Sequence, residues 1–494
     1  MLLGIDVGTS SLKVMLVEPA GNTAPVLAKE PLRLLTPAPD RAEMLPDEVY
    51  EALLRALRRL RRDRPREFAA VQAIGLSTIF PALVPMRADG SALGAAILYC
   101  DRRATPQVAS LAASFGREHF EALTGNQLTP GTCTLPGILW LREQEPERFR
   151  GTRVFGQLST FLIQRLTGAV VVDSSQTSLS GMVRGGAEER WEPLILEHAG
   201  LAEALLPRIL PSAGVAGELT AAAAAACGLR PGIPVVAGCG DAPLAALGGG
   251  VLAAGQLFAS AGTTDCLMVS AERPSGNPAF CNVHAAIPGL WLAIGTMSTA
   301  GAAVKWLCDD VFQCTPEEMT RAAESAQPGA GGLSFLPYLQ GERTPWWDPA
   351  ARGAFVGLAL TTRRAEMCRA VFEGIACGWR QIVALLEEHY RIRAPEVICV
   401  GGGSTNPLLN RMKASLLRRP VRVLRCTETT SLGAALIAGI GAGIYSGPQA
   451  LPAALAPFQA SDTAKPVPEW CEPLDALYAD YLRLYPTLKP LFRG

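Results

Sequence analysis

A chain of 494 residues exceeds the size at which a single hydrophobic core keeps growing, so two domains are expected. Its 45 basic residues balance 45 acidic ones, which leaves no charge excess for nucleic acid or an anionic membrane and points to a small-molecule partner. The 13 cysteines are odd in number, scattered and without a Cys-x-x-Cys pair, which argues against a disulfide framework or a zinc site and fits a reducing cytoplasm.

No basic region precedes an apolar run at the N-terminus, and Asp6 interrupts the one candidate, so no secretory leader is expected. The first element reads as a hairpin. Leu2, Leu3, Ile5 and Val7 are strand formers, and beyond Gly8-Thr9-Ser10-Ser11 the residues Leu12 to Val17 form a second strand, Leu12, Val14 and Leu16 alternating with Lys13, Met15 and Val17. Gly8 lets the backbone approach a ligand, and Thr9, Ser10 and Ser11 can donate N–H and O–H groups to phosphate oxygens. Asp6 at the strand end would repel phosphates unless a cation lay between, which implies Mg²⁺ held through water. An ordinary polar turn is the alternative, and the segment alone does not choose between them.

Further along, Leu53, Leu54, Leu57 and Leu60 recur at helical spacing within a basic run, the solvated face of an amphipathic helix with no chemistry of its own. Ala73 to Ser77 reads as a strand, and Ala221 to Ala226 as a helix ending before Gly228. Pro231 to Ser270 and Leu432 to Tyr445 carry little charge, but proline, glycine and acids interrupt the first and the second is too short, so neither is a membrane span. Asp241 and Asp265 are the only charged residues between Arg230 and Glu272. Asp241 follows the strand-like Val235 to Gly238 and a glycine turn, and a carboxylate in such apolar surroundings is costly unless it is paired, hydrogen-bonded or used. It could cap a helix starting near Pro243, or accept a hydroxyl proton in phosphoryl transfer; spacing leaves both open.

Gly248-Gly249-Gly250 marks a natural boundary. Just beyond it, Leu257 to Val269 repeats the strand, Gly-Thr turn, strand pattern around Gly262-Thr263, which suggests a duplicated phosphate hairpin and a nucleotide gripped between two lobes. Val400 to Asn406 is a third glycine element, ending one strand and preceding a helix through Leu408 to Leu417. Leu474, Leu477, Tyr478, Tyr481 and Leu482 form a closing amphipathic helix. His119, His198, His284 and His389 make no metal or triad motif, and there is no Gly-x-x-x-x-Gly-Lys-Ser/Thr loop.

Taken with Leu336 to Pro345, Ala351 to Leu358, Arg369 to Gly374 and Ile97 to Arg103, these segments resemble the FGGY carbohydrate kinases over nearly the whole chain. The resemblance implies an α/β fold of two ribonuclease-H-like lobes with an interlobe nucleotide cleft: residues 1–247 as the N-terminal sugar-binding lobe and 248–494 as the C-terminal nucleotide-binding lobe. It implies ATP and Mg²⁺, with Asp241 as general base and Asp6 as catalytic acid residue and metal site. Gly8, Thr9, Ser10 and Lys13 match the first phosphate loop, Gly262 and Thr263 the second, Gly301 and Lys305 the helix beside the nucleotide, and Gly402, Gly403 and Asn406 the adenosine side. Thr78, Phe80, Asp101 and Arg103, with Asp241, form the substrate wall. Glu342 and Arg343 are expected as an interlobe ion pair.

Within the family the chain is most similar to xylulose kinases, which implies phosphorylation of D-xylulose to D-xylulose 5-phosphate, in the cytoplasm and with a homodimer as one possible assembly. The wall departs from that pattern at Thr78-Ile79-Phe80-Pro81-Ala82, where Met-His-Gly is usual, at Glu43-Met44-Leu45-Pro46, and at Tyr99, where Trp is usual. Ser415 and Arg411 replace an expected Asp and Gln on the nucleotide side. Ribulose, L-xylulose, erythritol and glycerol are therefore alternative substrates. A non-catalytic sugar or nucleotide sensor and an actin-like assembly ATPase or chaperone are the other readings of the same scaffold.

Overall fold

The computed structural model describes residues 1–21, 25–186 and 190–492. The chain divides into two compact units that interleave in sequence. The first comprises residues 1–252, 272–292 and 428–457, and the second 253–271, 293–427 and 458–492. A stretch far beyond the glycine run at 248–250 thus packs with the N-terminal half.

The first unit is built on a mixed sheet of β1 (Leu2–Val7), β2 (Ser11–Val17), β3 (Val26–Pro31), β4 (Ala73–Thr78), β5 (Val215–Glu218), β6 (Pro234–Val236) and β7 (Cys239–Gly240). Its order is β5-β6-β4-β1-β2-β3, with β7 pairing on β4. β1 runs antiparallel to β2 and parallel to β4. Side chains alternate across a strand, so Leu3, Ile5 and Val7 enter the core made with Val49, Leu53 and Leu57 of the helix Pro46–Asp63 and Phe161 and Leu162 of the helix Leu158–Thr167. Leu53, Leu54, Leu57 and Leu60 are all buried, and the arginines between them are exposed, as an amphipathic helix requires.

Gly4 and Asp6 face the opposite side, which the helix Thr429–Gly441 covers. Its contact with the sheet is backbone on backbone: a Cβ on Gly4 would lie 2.0 Å from the Ser431 carbonyl oxygen, and one on Gly75 only 1.9 Å from that of Ala434. The same helix meets the helix Asp241–Gly248, where a Cβ on Gly433 would stand 2.1 Å from the Leu244 carbonyl oxygen. The absence of charge from Leu432 to Tyr445 is explained by this burial. Gly75→Ala is expected to cost about 3 kcal/mol or more, because a rigid carbonyl rather than a flexible side chain must give way; a lowered thermal midpoint in circular dichroism would record it.

The second unit has its own mixed sheet: β8 (Leu257–Ala261), β9 (Asp265–Ala271), β10 (Trp291–Met297, from Ala293 onward in this unit), β11 (Val397–Val400), β12 (Val421–Leu424) and β13 (Ser461–Ala464), in the order β10-β9-β8-β11-β12-β13. Here β8 runs antiparallel to β9 and parallel to β11, the arrangement of β1, β2 and β4 in the first unit. Each unit therefore presents a tight hairpin whose first strand is flanked by a parallel neighbour, the duplication that the repeated sequence pattern predicts and the ribonuclease-H-like arrangement that the family resemblance implies. All 13 cysteines are free thiols. Among the described residues no helix is long and apolar enough to cross a membrane.

Candidate functional site

In the first unit, three parallel strand ends converge. The register places Asp6 opposite Ser77 and Val7 opposite Thr78, while Cys239 and Gly240 of β7 lie opposite Ser77 and Thr78 on the other edge of β4. Asp241, the next residue, opens the helix Asp241–Gly248. Asp6, Ser77, Thr78 and Asp241 thus share one end of the sheet.

Asp6 is buried, and its carboxyl is pushed up to about 7, first by that burial and then by the negative charge of Asp241, against the pull of Lys13 and the nearby Ser77 hydroxyl. Asp6 Oδ1, Ser77 Oγ and Thr78 Oγ1 have no hydrogen-bond partner among the described residues. Asp6 and Ser77 are partners in register on one face of the sheet, so their open buried atoms mark a cradle for something polar, whereas Thr78 pairs with Val7 on the other face. Lys13, directly across the hairpin from Asp6, is held 2.5 Å from Glu428. The turn itself is closed by the Gly8 amide donating to the Ser11 carbonyl at 3.0 Å.

Asp241 departs from the capping alternative. Gly240 occupies the N-cap position, and the helix begins two residues before Pro243, with Asp241 as its first residue. Its Oδ1 accepts the Ala242 amide at 2.8 Å, burial raises the carboxyl to about 6, and it keeps partial surface access. The ring of Phe80 lies against the backbone just before it: a Cβ on Gly240 would be 2.4 Å from the ring.

Asp101 and Arg103 come together, but chiefly with each other. Asp101 accepts the Ala42 amide at 2.8 Å, the Arg103 amide at 3.0 Å and the Arg103 guanidinium at 2.7 Å, while the same guanidinium nitrogen donates to Glu43 at 2.6 Å. Arg103 also stacks 5.0 Å from the Trp140 ring. Both residues are buried, and Arg103 Nη1 alone remains without a partner among the described residues.

In the second unit the glycine elements meet at the β8–β9 turn. The Gly301 amide donates to the Gly262 carbonyl at 3.0 Å, and the Ala300 and Ala302 amides donate to that of Thr263 at 3.1 Å. A Cβ on Gly301 would sit 2.4 Å from the Gly262 oxygen. Gly401, with φ of 95°, approaches Ala261 equally closely, so Gly402 and Gly403 adjoin the same turn, and Gly402 is open to its surroundings. Asp265 fixes this turn from behind by accepting the Gly262 amide at 3.0 Å and the Trp379 indole N–H at 2.6 Å, with Lys413 Nζ 3.5 Å away. Lys305 is exposed and paired with Asp309. Asn406 caps the helix Pro407–Leu417, its oxygen accepting the Leu409 amide and its nitrogen donating to Thr320 at 2.9 Å, so its carboxamide is already engaged.

The expected ion pair of Glu342 and Arg343 is not what holds Glu342. Its buried carboxylate accepts the amides of Ser298 at 2.6 Å and Arg343 at 2.8 Å, and burial raises it to about 7 despite them. Backbone amides supply its donors instead.

Sequence reasoning did not single out Ser77, Glu428 or the buried pair Asp173 and Ser175 behind Gly240. Ser77 follows Asp6 only through a parallel register, which a linear reading does not contain. Asp173 carried a usable signal, an acid at the end of an apolar strand followed by two serines.

The comparisons with known proteins identify the family and agree on the fold. The model of the FGGY family of carbohydrate kinases, N-terminal domain, matches residues 1–248, and that of the C-terminal domain matches residues 257–442. A xylulose kinase of Bacillus subtilis (strain 168) is 29% identical over 453 residues, 90% of this chain and 89% of the relative, and a glycerol kinase of Citrifermentans bemidjiense is 30% identical over 459 residues, 90% of each. Among solved structures, a xylulose kinase from Rhodospirillum rubrum superposes with a TM-score of 0.91 at 28% identity, covering 99% of both chains. With both family domains matched across most of its length, the chain belongs to the FGGY family of carbohydrate kinases.

Proposed function

We propose that this carbohydrate kinase transfers the γ-phosphoryl group of ATP to a hydroxyl of a pentulose, with D-xylulose the first candidate, and that Asp241 accepts the hydroxyl proton. The observation that carries the reading is the group at the sheet end: a carboxylate raised to about 6 beside a second buried acid whose Oδ1, like the neighbouring Ser77 hydroxyl, has no partner among the described residues. Such a carboxylate is ionised at neutral pH yet basic enough to take a proton as the new O–P bond forms. Ser77 offers a hydrogen-bonding group to a polyhydroxyl ligand on the Asp6 face, and Thr78 a second hydroxyl at the same strand end.

Asp6 fits a Mg²⁺ ion, because its Oδ1 is buried, unpartnered and acidic enough to be charged once a cation is near. Mg²⁺ bound there would neutralise charge on the transferring phosphate oxygens. In this reading Gly8, Thr9, Ser10 and Lys13 form a phosphate-binding turn within the first unit; within the second, Gly262, Thr263, Gly301 and Lys305 form another, with Gly402 and Gly403 on its adenosine side. Asn406 serves by setting the start of its helix, since both ends of its carboxamide are bonded within the protein. Asp101 and Arg103 shape the substrate wall, Arg103 with its Nη1 amino group unpartnered among the described residues, and Phe80 supplies an apolar face next to Asp241.

The relatives include both xylulose and glycerol kinases. A panel of D-xylulose, L-xylulose, ribulose, glycerol and erythritol with ATP and Mg²⁺, read by coupled ADP release, tests the substrate. The highest kcat/KM is expected with D-xylulose. Turnover confined to another sugar would reassign the substrate to the wall at Phe80, and binding without turnover on every sugar would replace the kinase reading by a sensor.

A further inference from the structure

We infer that Asp173 and Ser175 are positioning residues for Asp241, acting through the Gly240 peptide; the inference rests on the reading of Asp241 as the base. The strand Val171–Asp173 ends in Asp173, which caps the short helix Ser174–Ser178. Asp173 Oδ1 accepts the amides of Ser175 at 3.0 Å and Gln176 at 3.1 Å, Oδ2 accepts the Gln176 side chain at 2.8 Å, and the Ser175 hydroxyl donates to Oδ1. The Gly240 amide donates to Ser175 Oγ at 2.8 Å. Asp173 and Ser175 are fully buried.

The polarity of this chain is dictated by chemistry. An ionised carboxylate can only accept, so the single Ser175 proton points to Asp173 and the hydroxyl lone pairs face the Gly240 N–H. β7 is two residues long and pairs only with β4 among the described residues, so this hydrogen bond supplies an anchor that a longer strand would have found in a neighbour. On its other side Gly240 meets the Phe80 ring. The Cys239–Gly240 peptide, one residue ahead of Asp241, is therefore anchored by Ser175 while the Gly240 Cα lies against Phe80, and among the described residues the Asp241 side chain accepts one hydrogen bond, from the Ala242 amide. Its aim depends on the backbone more than on its own side-chain contacts. Misplacing a reacting group by about 1 Å can cost about 10²-fold in rate.

The test compares Ser175→Ala and Asp173→Asn with the wild type, using the sugar that turns over best, ATP and Mg²⁺. Ser175→Ala removes one oxygen and should lower kcat about 10- to 100-fold while KM for ATP stays within about twofold. Asp173→Asn preserves volume and leaves one oxygen to accept the Ser175 hydroxyl, with its amide nitrogen toward Gln176, but it removes the charge that orients that hydroxyl and should lower kcat in the same direction. In both variants the acid limb of the kcat–pH profile should move, because Asp241 no longer sits in the same surroundings. Wild-type kcat and an unmoved acid limb in folded variants would overturn the inference. So would a loss that appears as lowered thermal midpoint and raised KM for ATP without a change in the pH profile. Asp241→Asn measured alongside separates the two claims: normal turnover there would overturn the base assignment itself, whatever the Ser175 variant does.

Discussion

Asp241→Asn is expected to lower kcat about 10³-fold or more, at the upper end of what a positioned general base contributes, while the protein stays folded and still binds ATP. Asparagine is nearly isosteric, and its side-chain oxygen can go on accepting the Ala242 amide that Asp241 Oδ1 accepts at 2.8 Å. The helix start is also insensitive, because Gly240 occupies the N-cap and no side chain caps it. What disappears is the group that can take a proton. Coupled ADP release with circular dichroism as a folding control measures the difference. In the wild type, kcat should fall as pH drops below about 6, where Asp241 becomes protonated.

The second large effect concerns stability. Asp6 has its carboxyl raised from the ordinary range near 4 to about 7, with burial as the first cause and Asp241 as the second. The folded state then binds a proton more tightly than the unfolded chain, so between those two values stability falls as pH rises, and above about 7 the whole penalty is present. At about 1.4 kcal/mol per unit the penalty has an upper bound of about 4 kcal/mol. Asp6→Asn is therefore expected to be more stable than the wild type at pH 8 and to lose that advantage below about pH 4, at the cost of activity. Thermal midpoints of the two proteins across this range check the sign.

Much of the architecture is legible in the residues. Asp6-Val7-Gly8-Thr9 reads as an acid-glycine-hydroxyl turn, its echo at Gly262-Thr263 reads as a duplication, and each folds as a hairpin flanked by a parallel strand. Asp241 stands out because so little charge surrounds it. The rest depends on contacts between residues far apart in sequence. That Thr429–Gly441 packs on β1 and β4 follows from paired close approaches at Gly4, Gly75 and Gly433, which no periodicity announces. Ser77 joins Asp6 through strand register, and Ser175 reaches Gly240 across 65 positions. Asn406 and Glu342 show the opposite limit: both occupy motif positions, but the local backbone takes up their side chains.

The same limit applies to the sugar. The proposed substrate wall of Thr78, Phe80 and Arg103 does not name the ligand, because a hydroxyl, a ring and an unpartnered guanidinium nitrogen suit several neutral polyols.

The central claim is that the wild-type protein moves a phosphoryl group from ATP to a sugar hydroxyl. Phosphorus NMR of the wild-type reaction with D-xylulose, ATP and Mg²⁺ follows both products at once. Equimolar ADP and sugar phosphate is the predicted result, and ADP accumulating with inorganic phosphate, or no ADP at all, would contradict it.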